Sequence, residues 1–517
     1  MASSDPELEQ AASRIRRAYQ PELFRAAGDR LIDQLASHLD RSEQSQGSVL
    51  NWTDPRQLTA QALDSLNAFR AAWKSPAEES PAVGDARCVE QFARLVELAL
   101  ANGINLHDPR YVGHQVPAPV PLAGLFDCIG AVTNNPMAIF EMGPWASAAE
   151  QAMIRTLTGH IGWDSANSGG IVTHGASIAN LTAILVARNV KLGQSWEQGI
   201  APELQSAGGQ PAKLVVQADA HYCLARAAGI TGIGTNHVVP AVLDSRRRMD
   251  PQRLDDSLTD LKRRGHPIIA VAASSCATPI GAFDPLVEIA DVCRRQEVWL
   301  HVDAAHGGAA LLSKKHRHLL AGLDQADSLT WDAHKMLFVP ALCAFLFYKN
   351  KQHGFEAFRQ SAPYLFDPST PGLAEFDGGL RTLECTKRGA ALGLWGVWSL
   401  FGPQLFEDLV DVTFALGRTL YEKLAAADDF VPLHEPQCNI VVFRHIPAKL
   451  RDATPAEVGA FQLRLRRSVI ESGDSYLVPT AQNGVAALRC TLINPLTTAD
   501  HLDNLLATLR HHGERLT

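Results

Sequence analysis

Apolar and polar residues alternate with a helical period over the first hundred positions. Leu31, Leu35 and Leu39 recur at helical spacing, and a Pro/Ser/Gly-rich break at residues 75–84 separates this pattern from a second one of the same kind. The segment contains few β-rich runs and no closed apolar core of its own. Residues 1–100 are therefore predicted to form a helical arm that packs on another surface.

From residue 101 to 405 short β-rich runs alternate with helical stretches. This alternation is typical of a mostly parallel sheet covered by helices on both faces. The clearest predicted strands are residues 213–216, 268–272, 298–302 and 344–348. Because ligands in such sheets bind at the carboxyl ends of the strands, we expect the chemistry directly after these runs.

The last part of the chain, residues 406–517, has a different order of elements. A Leu/Ala-rich helix comes first, followed by a strand at 439–443, a helix at 462–472, a strand at 487–492 and a final helix at 499–511. This order predicts a small α+β domain. The predicted fold class is thus α/β, with a helical N-terminal arm, a large central domain and a small C-terminal domain.

Composition excludes several classes of protein. The 517 residues carry 47 Lys and Arg against 55 Asp and Glu, and neither sign is gathered into a long block, which argues against nucleic acid as a partner. Nine cysteines without a CxxC pair predict neither a zinc site nor a disulfide framework. No signal peptide or apolar run of about 18 residues is present, so the sequence predicts a cytoplasmic protein without a membrane span.

Residues 298–348 contain the most informative chemistry. A predicted strand ends in Asp303, and Lys335 lies about thirty positions later in an apolar setting. The small residues after Asp303 are expected to leave room for something flat to lie against the backbone; they are Ala304, Ala305, Gly307 and Gly308. An acid at a strand end, a floor of small residues and a desolvated lysine are what a pyridoxal phosphate (PLP) site requires. The alternative is that Asp303 caps a helix and Lys335 is a surface residue, but the two together at this spacing favour the PLP site.

Two further segments extend this hypothesis. Small residues lead into a predicted helix around Ser177, where free backbone N–H groups and a hydroxyl suit a phosphate, although such starts are often plain helix caps. His221 follows the strand predicted at 213–216. Its imidazole suits stacking on the cofactor ring, and capping of the next helix is an equal alternative.

Five motifs together resemble the group II PLP-dependent amino acid decarboxylases. This family includes glutamate, aspartate, cysteine sulfinate, 2,4-diaminobutyrate and aromatic L-amino acid decarboxylases, and the resemblance covers nearly the whole chain. It implies a fold-type I lyase that works as a homodimer, with the N-terminal helices wrapped on the partner and the site at the subunit interface. The motifs are Ser177-x-Ala179-Asn180, Ala220-His221-Tyr222, residues 281–285 (GAFDP), residues 301–308 (HVDAAHGG) and Asp332-x-His334-Lys335.

The resemblance also implies roles for individual residues. Catalysis is implied for Lys335, which forms the Schiff base, for Asp303, which pairs with the pyridine nitrogen, and for His221, which stacks on the ring. The remaining implied cofactor contacts are Ala176 and Ser177 at the phosphate, Thr278 near the ring hydroxyl, Ala305 under the ring, and Asp332 and His334.

The sequence departs from the family pattern at the expected carboxylate-binding segment. Lys387 stands where an Arg often binds the substrate α-carboxylate, and a lysine cannot make the same bidentate contact. Either Lys387 serves as a point charge, or Arg381 or Arg388 takes the role. Gln115 is a further candidate for the substrate pocket, or else caps a turn.

A second departure concerns the lid expected at residues 365–380. Many relatives carry a tyrosine there that protonates the carbanion, whereas this segment has none after Tyr364. In the family this loss is associated with transamination or with oxidative deamination to an aldehyde. Tyr364 alternatively packs at the base of the lid, and His221 is an alternative proton donor. An acidic L-amino acid is the first expectation for the substrate, with 2,4-diaminobutyrate or an aromatic amino acid as alternatives.

Overall fold

The computed structural model of the chain describes residues 6–72, 81–358 and 376–517. Its strands are β1 (Gly169–Thr173), β2 (Lys213–Gln217), β3 (Val238–Ala241), β4 (Ile268–Ser274), β5 (Trp299–Asp303), β6 (Ser328–Asp332), β7 (Ala344–Tyr348), β8 (Phe430–Pro432), β9 (Ile440–His445), β10 (Val478–Gln482) and β11 (Val485–Thr491).

The α-helices follow the same chain order. They are α1 (Pro6–Ala18), α2 (Pro21–Glu43), α3 (Pro55–Ala72), α4 (Pro81–Asn102), α5 (Pro121–Thr133), α6 (Pro144–Ile161), α7 (Ala176–Lys191), α8 (Ser195–Gln198), α9 (Ile200–Ser206), α10 (Cys223–Ile230), α11 (Pro251–Arg263), α12 (Leu286–Arg295), α13 (Leu392–Ala425), α14 (Pro455–Ser472) and α15 (Ala499–Leu516).

The central sheet has the strand order β1-β7-β6-β5-β4-β2-β3. Only β7 runs against its neighbours, so the carboxyl ends of the other six strands meet at one edge. Every residue of β4, β6 and β7 is buried because helices cover both faces, which explains the apolar runs of β4 and β7. The predicted α/β class with a mostly parallel sheet is confirmed.

A second, antiparallel sheet lies in the C-terminal part of the chain, in the order β10-β11-β9-β8. Helices α14 and α15 pack on it around a separate apolar cluster that includes Phe443, Phe461 and Leu509. Long helix α13 leads into this region and kinks at Gly402, just before Pro403. The predicted boundary at 405/406 falls inside α13, three residues after the kink.

The N-terminal segment consists of helices α1 to α4, in keeping with the predicted arm. Many of its apolar side chains face outward: Tyr19 is 83% exposed and Leu66 is 68% exposed. A helix with this pattern needs a partner surface to bury its apolar face. No helix of the described residues combines the length and apolar character that crossing a bilayer requires.

Candidate active site

A pocket opens at the edge of the central sheet where the six carboxyl ends meet. Strands β4 and β5 contribute Ser274 and Asp303 from their last positions, and the start of α7 and the loop after β6 close it from either side. We call this cavity the active-site pocket. It is lined by Gln115, Ala176, His221, Ser274, Cys276, Ala277, Thr278, Asp303, Ala305, His306 and Lys335.

Asp303 is held by hydrogen bonds to both of its carboxylate oxygens. Oδ1 accepts the backbone N–H of Ala305 at 3.1 Å, and Oδ2 accepts the side-chain N–H of Asn180 at 3.0 Å. Only 9% of the residue is exposed. A carboxylate oriented in this way can accept a hydrogen bond from a protonated ring nitrogen.

Lys335 follows β6 and points its amine at the same pocket. Its Nζ lies 3.2 Å from Oδ2 of Asp332, which is itself 3.6 Å from Nε2 of His334. Burial opposes the charged amine, but the carboxylates of Asp332 and Asp303 outweigh it and raise the pKa of Lys335 above its usual value. The amine of Lys335 is therefore protonated before a cofactor is attached to it.

Helix α7 begins at the pocket without a side-chain cap. Gly175 precedes it with φ of +109°, a conformation that L side chains rarely adopt, and turns the chain so that Ala176 lines the pocket. Ser177 follows and is half-buried. The unpaired N–H groups of a first helical turn attract an anion, so this end of the pocket suits a phosphate.

His221 lines the pocket and also serves the next helix. Its Nδ1 accepts the backbone N–H of Cys223 at 3.3 Å, at the start of α10. Burial lowers the pKa of His221, with the charge of Asp303 acting in the opposite direction. The fold therefore shows the hydrogen bond to the next helix, and stacking of His221 on the cofactor ring stays a prediction.

The small residues after Asp303 divide into two groups. Ala305 lines the pocket, whereas a Cβ atom on Gly307 would lie 2.6 Å from the carbonyl oxygen of Ser275. A Cβ atom on Gly308 would lie 2.7 Å from the ring of Trp331. These two glycines thus allow close packing of the protein on itself, and the expectation that they leave room for the cofactor was wrong.

The three cations considered for the substrate carboxylate do not line the pocket. Lys387 is buried in an ion pair, with Nζ 2.7 Å from both oxygens of Glu150 and 2.6 Å from the carbonyl oxygen of Val172. Arg381 donates to the carbonyl oxygen of Gly170. Arg388 is mostly exposed, 3.9 Å from Asp127.

A buried cation that the sequence reasoning missed lies beside the pocket. Arg489 on β11 is 5% exposed, and its Nε and Nη2 atoms have no hydrogen-bond partner. Its charge acts on Cys276 and His306, which line the pocket, and on Tyr111. The available signal was a single arginine inside the apolar run 485–492.

His306 is a second pocket residue without a predicted role. Its Nε2 hydrogen-bonds Oδ1 of Asn439 at 2.9 Å, and its Nδ1 is buried without a partner. Burial lowers the pKa of His306 to about 3, so the ring is neutral at physiological pH.

Most of the predicted lid at 365–380, together with Tyr364, lies outside the described residues.

The pocket residues fit PLP chemically. Asp303 offers a carboxylate, Lys335 offers an amine, and the start of α7 offers N–H groups to an anion. Asp332 has a buried Oδ1 without a partner, next to the lysine, which leaves an acceptor for a bound group. Sequence motif and geometry thus place the same chemistry at one sheet edge.

Comparison with known proteins decides the family. The model of the pyridoxal-dependent decarboxylase conserved domain matches residues 85–446. The chain belongs to this family. The resemblance to the group II decarboxylases is therefore confirmed, and the protein is a PLP-dependent amino acid decarboxylase, a carboxy-lyase.

Individual relatives agree with this assignment. The human acidic amino acid decarboxylase GADL1 is 31% identical over 380 residues, which cover 72% of this chain and 71% of the relative. Rat cysteine sulfinic acid decarboxylase is 29% identical over 86% of this chain and 91% of its own length. The crystal structure of mouse CSAD superposes with a TM-score of 0.83 at 26% identity, covering 96% of this chain and 99% of that one.

Proposed function

We propose that this decarboxylase acts on an acidic L-amino acid such as glutamate, aspartate or cysteine sulfinate. The structural observation that supports the proposal is Arg489, a buried guanidinium with two unpartnered donor atoms beside the pocket, which offers a site for a substrate carboxylate. A buried unpaired cation is costly unless a ligand supplies the counter-charge. The names of the human and rat relatives, an acidic amino acid decarboxylase and a cysteine sulfinic acid decarboxylase, support the same class.

Charge also disfavours the alternative 2,4-diaminobutyrate. Its side-chain ammonium would enter a pocket that already has Lys335 in its wall and Arg489 beside it. The carboxylate that lines the pocket, Asp303, is committed to the ring nitrogen in this proposal. Repulsion between the ammonium and these two cations would select against 2,4-diaminobutyrate as a substrate.

The chain's own residues divide the work. Lys335 supplies the amine that attaches the cofactor, Asp303 holds the ring nitrogen protonated, and Ala176 and Ser177 bind the phosphate at the start of α7. Ala305, Thr278, Asp332 and His334 complete the cofactor contacts, and Gln115 lies on the substrate side. When bound, PLP supplies an electron sink for the pair left on Cα as carbon dioxide departs.

His221 is proposed to return the proton to Cα. Because Nδ1 accepts the N–H of Cys223, the proton of the neutral ring resides on Nε2. The acid must be the charged ring, which gives up one of its two protons and becomes neutral, and the lowered pKa of His221 makes that release easier than from an unperturbed imidazolium. Arg489 would orient a substrate carboxylate by two parallel hydrogen bonds.

Product analysis tests this function. PLP-loaded protein is incubated with each common L-amino acid, cysteine sulfinate and 2,4-diaminobutyrate, and carbon dioxide, amine, ammonia and peroxide are measured together. We expect carbon dioxide matched by amine, from acidic substrates. Arg489→Met should raise KM for those substrates by about 10- to 100-fold, the loss of one charged hydrogen-bonded contact. A preference for diaminobutyrate or an unchanged KM would contradict the proposal.

A second candidate reaction on the same scaffold is decarboxylation with oxidative deamination or transamination, which yields an aldehyde. The observation that favours it is the absence of tyrosine from residues 365–380 of the sequence. The same product analysis separates the two reactions. Carbon dioxide accompanied by ammonia and an aldehyde would establish oxidative deamination.

We also propose that the protein is a cytoplasmic homodimer. Six apolar side chains of the N-terminal segment are more than half exposed, and a second copy would cover them: Leu8, Ile15, Tyr19, Phe24, Leu63 and Leu66. All nine cysteines are unpaired, which supports a reducing compartment. Light scattering should give about twice the chain mass of 56.0 kDa. A monomer at micromolar concentration would contradict the dimer, and cell fractionation checks the compartment.

A further inference from the structure

A buried hydrogen-bond chain runs through the sheet behind Asp303. Trp299 Nε1 lies 2.9 Å from Ser328 Oγ, which lies 2.9 Å from Nδ1 of His301. Nε2 of His301 lies 2.8 Å from Oδ1 of Asn180, whose Nδ2 donates to Asp303 at 3.0 Å. Asn180, His301 and Ser328 are fully buried. None of the three lines the active-site pocket.

The chemistry of the partners determines the direction of every bond in this chain. The Asp303 carboxylate only accepts, so Asn180 must present its amide nitrogen there and its oxygen to His301. His301 must then donate from Nε2, and its bare Nδ1 accepts the hydroxyl of Ser328. Ser328 in turn accepts the indole N–H of Trp299. The hydrogen bonds therefore all run in one direction, and each residue donates to the next one on the way from Trp299 to Asp303.

The protonation of His301 agrees with this direction. Burial lowers the pKa of His301 to about 4, against the opposing charge of Asp303, so the ring is neutral at physiological pH. A neutral imidazole has one donor and one acceptor nitrogen, and here each has a suitable partner. The chain thus has one tautomer and one amide orientation that satisfy all its members.

We propose that Asn180 and His301 are positioning residues that hold the Asp303 carboxylate in the orientation that PLP binding requires. Asn180 and the N–H of Ala305 each take one oxygen of Asp303, which leaves the remaining lone pairs toward the pocket. His301 prevents the Asn180 amide from turning over and presenting its oxygen to the carboxylate. The inference rests on the proposed role of Asp303 as the partner of the ring nitrogen, and it adds the two residues that keep Asp303 in position for that role.

The test measures the affinity of the cofactor-free protein for PLP, followed by absorbance and by intrinsic fluorescence. Asn180→Leu keeps the side-chain size and removes the donor, and we expect PLP affinity to fall about tenfold. Asn189→Leu is the matched control, since Asn189 is also buried on α7 but hydrogen-bonds Ser195 and Arg188. The Asn189→Leu variant should have a lower melting temperature than the parent protein and a PLP affinity within about twofold of the parent's.

Two further comparisons separate positioning from general damage to the fold. His301→Gln retains an N–H that can reach Asn180 and should keep PLP affinity within about threefold, whereas His301→Leu should lose about tenfold. In an Asp303→Asn background, Asn180→Leu should have almost no further effect, because it acts through Asp303. If Asn180→Leu does not fold, the two His301 variants decide the same question.

Opposite results would overturn the inference. A folded Asn180→Leu protein with unchanged PLP affinity, equal losses in His301→Gln and His301→Leu, or the same loss in the Asp303→Asn background would each do so. If Asp303→Asn itself binds PLP as tightly as the parent protein, the role of Asp303 fails together with the inference. Unchanged affinity in the Asn180 and His301 variants alone overturns only the positioning role.

Discussion

Lys335→Ala is expected to abolish the visible absorbance of covalently attached cofactor and to reduce turnover by about 1,000-fold or more. Lys335 is the one lysine among the described residues that line the pocket. Its Nζ faces the Asp332 carboxylate at 3.2 Å, so the amine is held where the cofactor fits. Absorbance spectra of the purified, PLP-saturated variant and a single-substrate assay measure both effects.

The matched control is Lys349→Ala. Lys349 follows β7, is exposed and donates to the carbonyl oxygen of Asp324, so it has no contact with the pocket. That variant should keep the absorbance and turnover of the parent protein. A Lys335→Ala protein with the parent's visible absorbance would show that another amine attaches the cofactor, and the assignment of Lys335 would fail.

Lys387→Met is expected to destabilise the protein by about 3–5 kcal/mol, because it leaves the Glu150 carboxylate buried without a counter-charge. The side chains of Lys387 and Glu150 are only 1% and 3% exposed, and the lysine Nζ lies 2.7 Å from each carboxylate oxygen. Glu150 also accepts the backbone N–H of Val172 in β1, so the pair ties α6 to the sheet. Urea-induced unfolding of the variant measures the loss.

Two variants make this prediction specific. Replacing both partners, Lys387→Met with Glu150→Leu, should recover most of the lost stability because no buried charge remains unpaired. Arg388→Ala, next in sequence but mostly exposed, should change the free energy of unfolding by less than about 1 kcal/mol. If Lys387→Met is instead stable and has a strongly raised KM, Lys387 binds the substrate and Arg489 does not.

The motif residues of the site could be predicted from the sequence because each is placed by its own strand. Strand β5 ends at Asp303, and Lys335 follows shortly after β6. A polar residue directly after a strand of a parallel sheet lies at the edge where the carboxyl ends of the strands meet. Strand β7 agrees residue for residue with the predicted 344–348. Strands β1, β3 and β6 of the central sheet were not predicted: Gly169 and Gly170 open β1, Pro240 interrupts β3, and Ser328, Thr330 and Asp332 make β6 polar at every second position.

Partners distant in sequence could not be predicted from it. Nothing local to Lys387 indicates that Glu150, 237 positions earlier, takes its charge. Likewise, Arg489 lies beside the pocket only because the C-terminal part of the chain packs against the loop that contains Cys276, whose Sγ is 3.6 Å from Sγ of Cys438. The expectation that Gly307 and Gly308 make room for a cofactor failed for the same reason, since Ser275, just after β4, and Trp331 in β6 approach them.

The sequence by itself determined the class of this protein: periodicity predicted the α/β fold, and the resemblance of five motifs indicated the decarboxylase family, whereas the roles of Lys335 and Asp303 stay predictions. The tertiary structure alone decided which buried charges are paired and which are open to a ligand. The physical reason is that a side chain's type and neighbours in sequence set what it can donate or accept. Whether a charged side chain has a counter-charge, and whether it is buried away from water, depends on segments that only folding brings together.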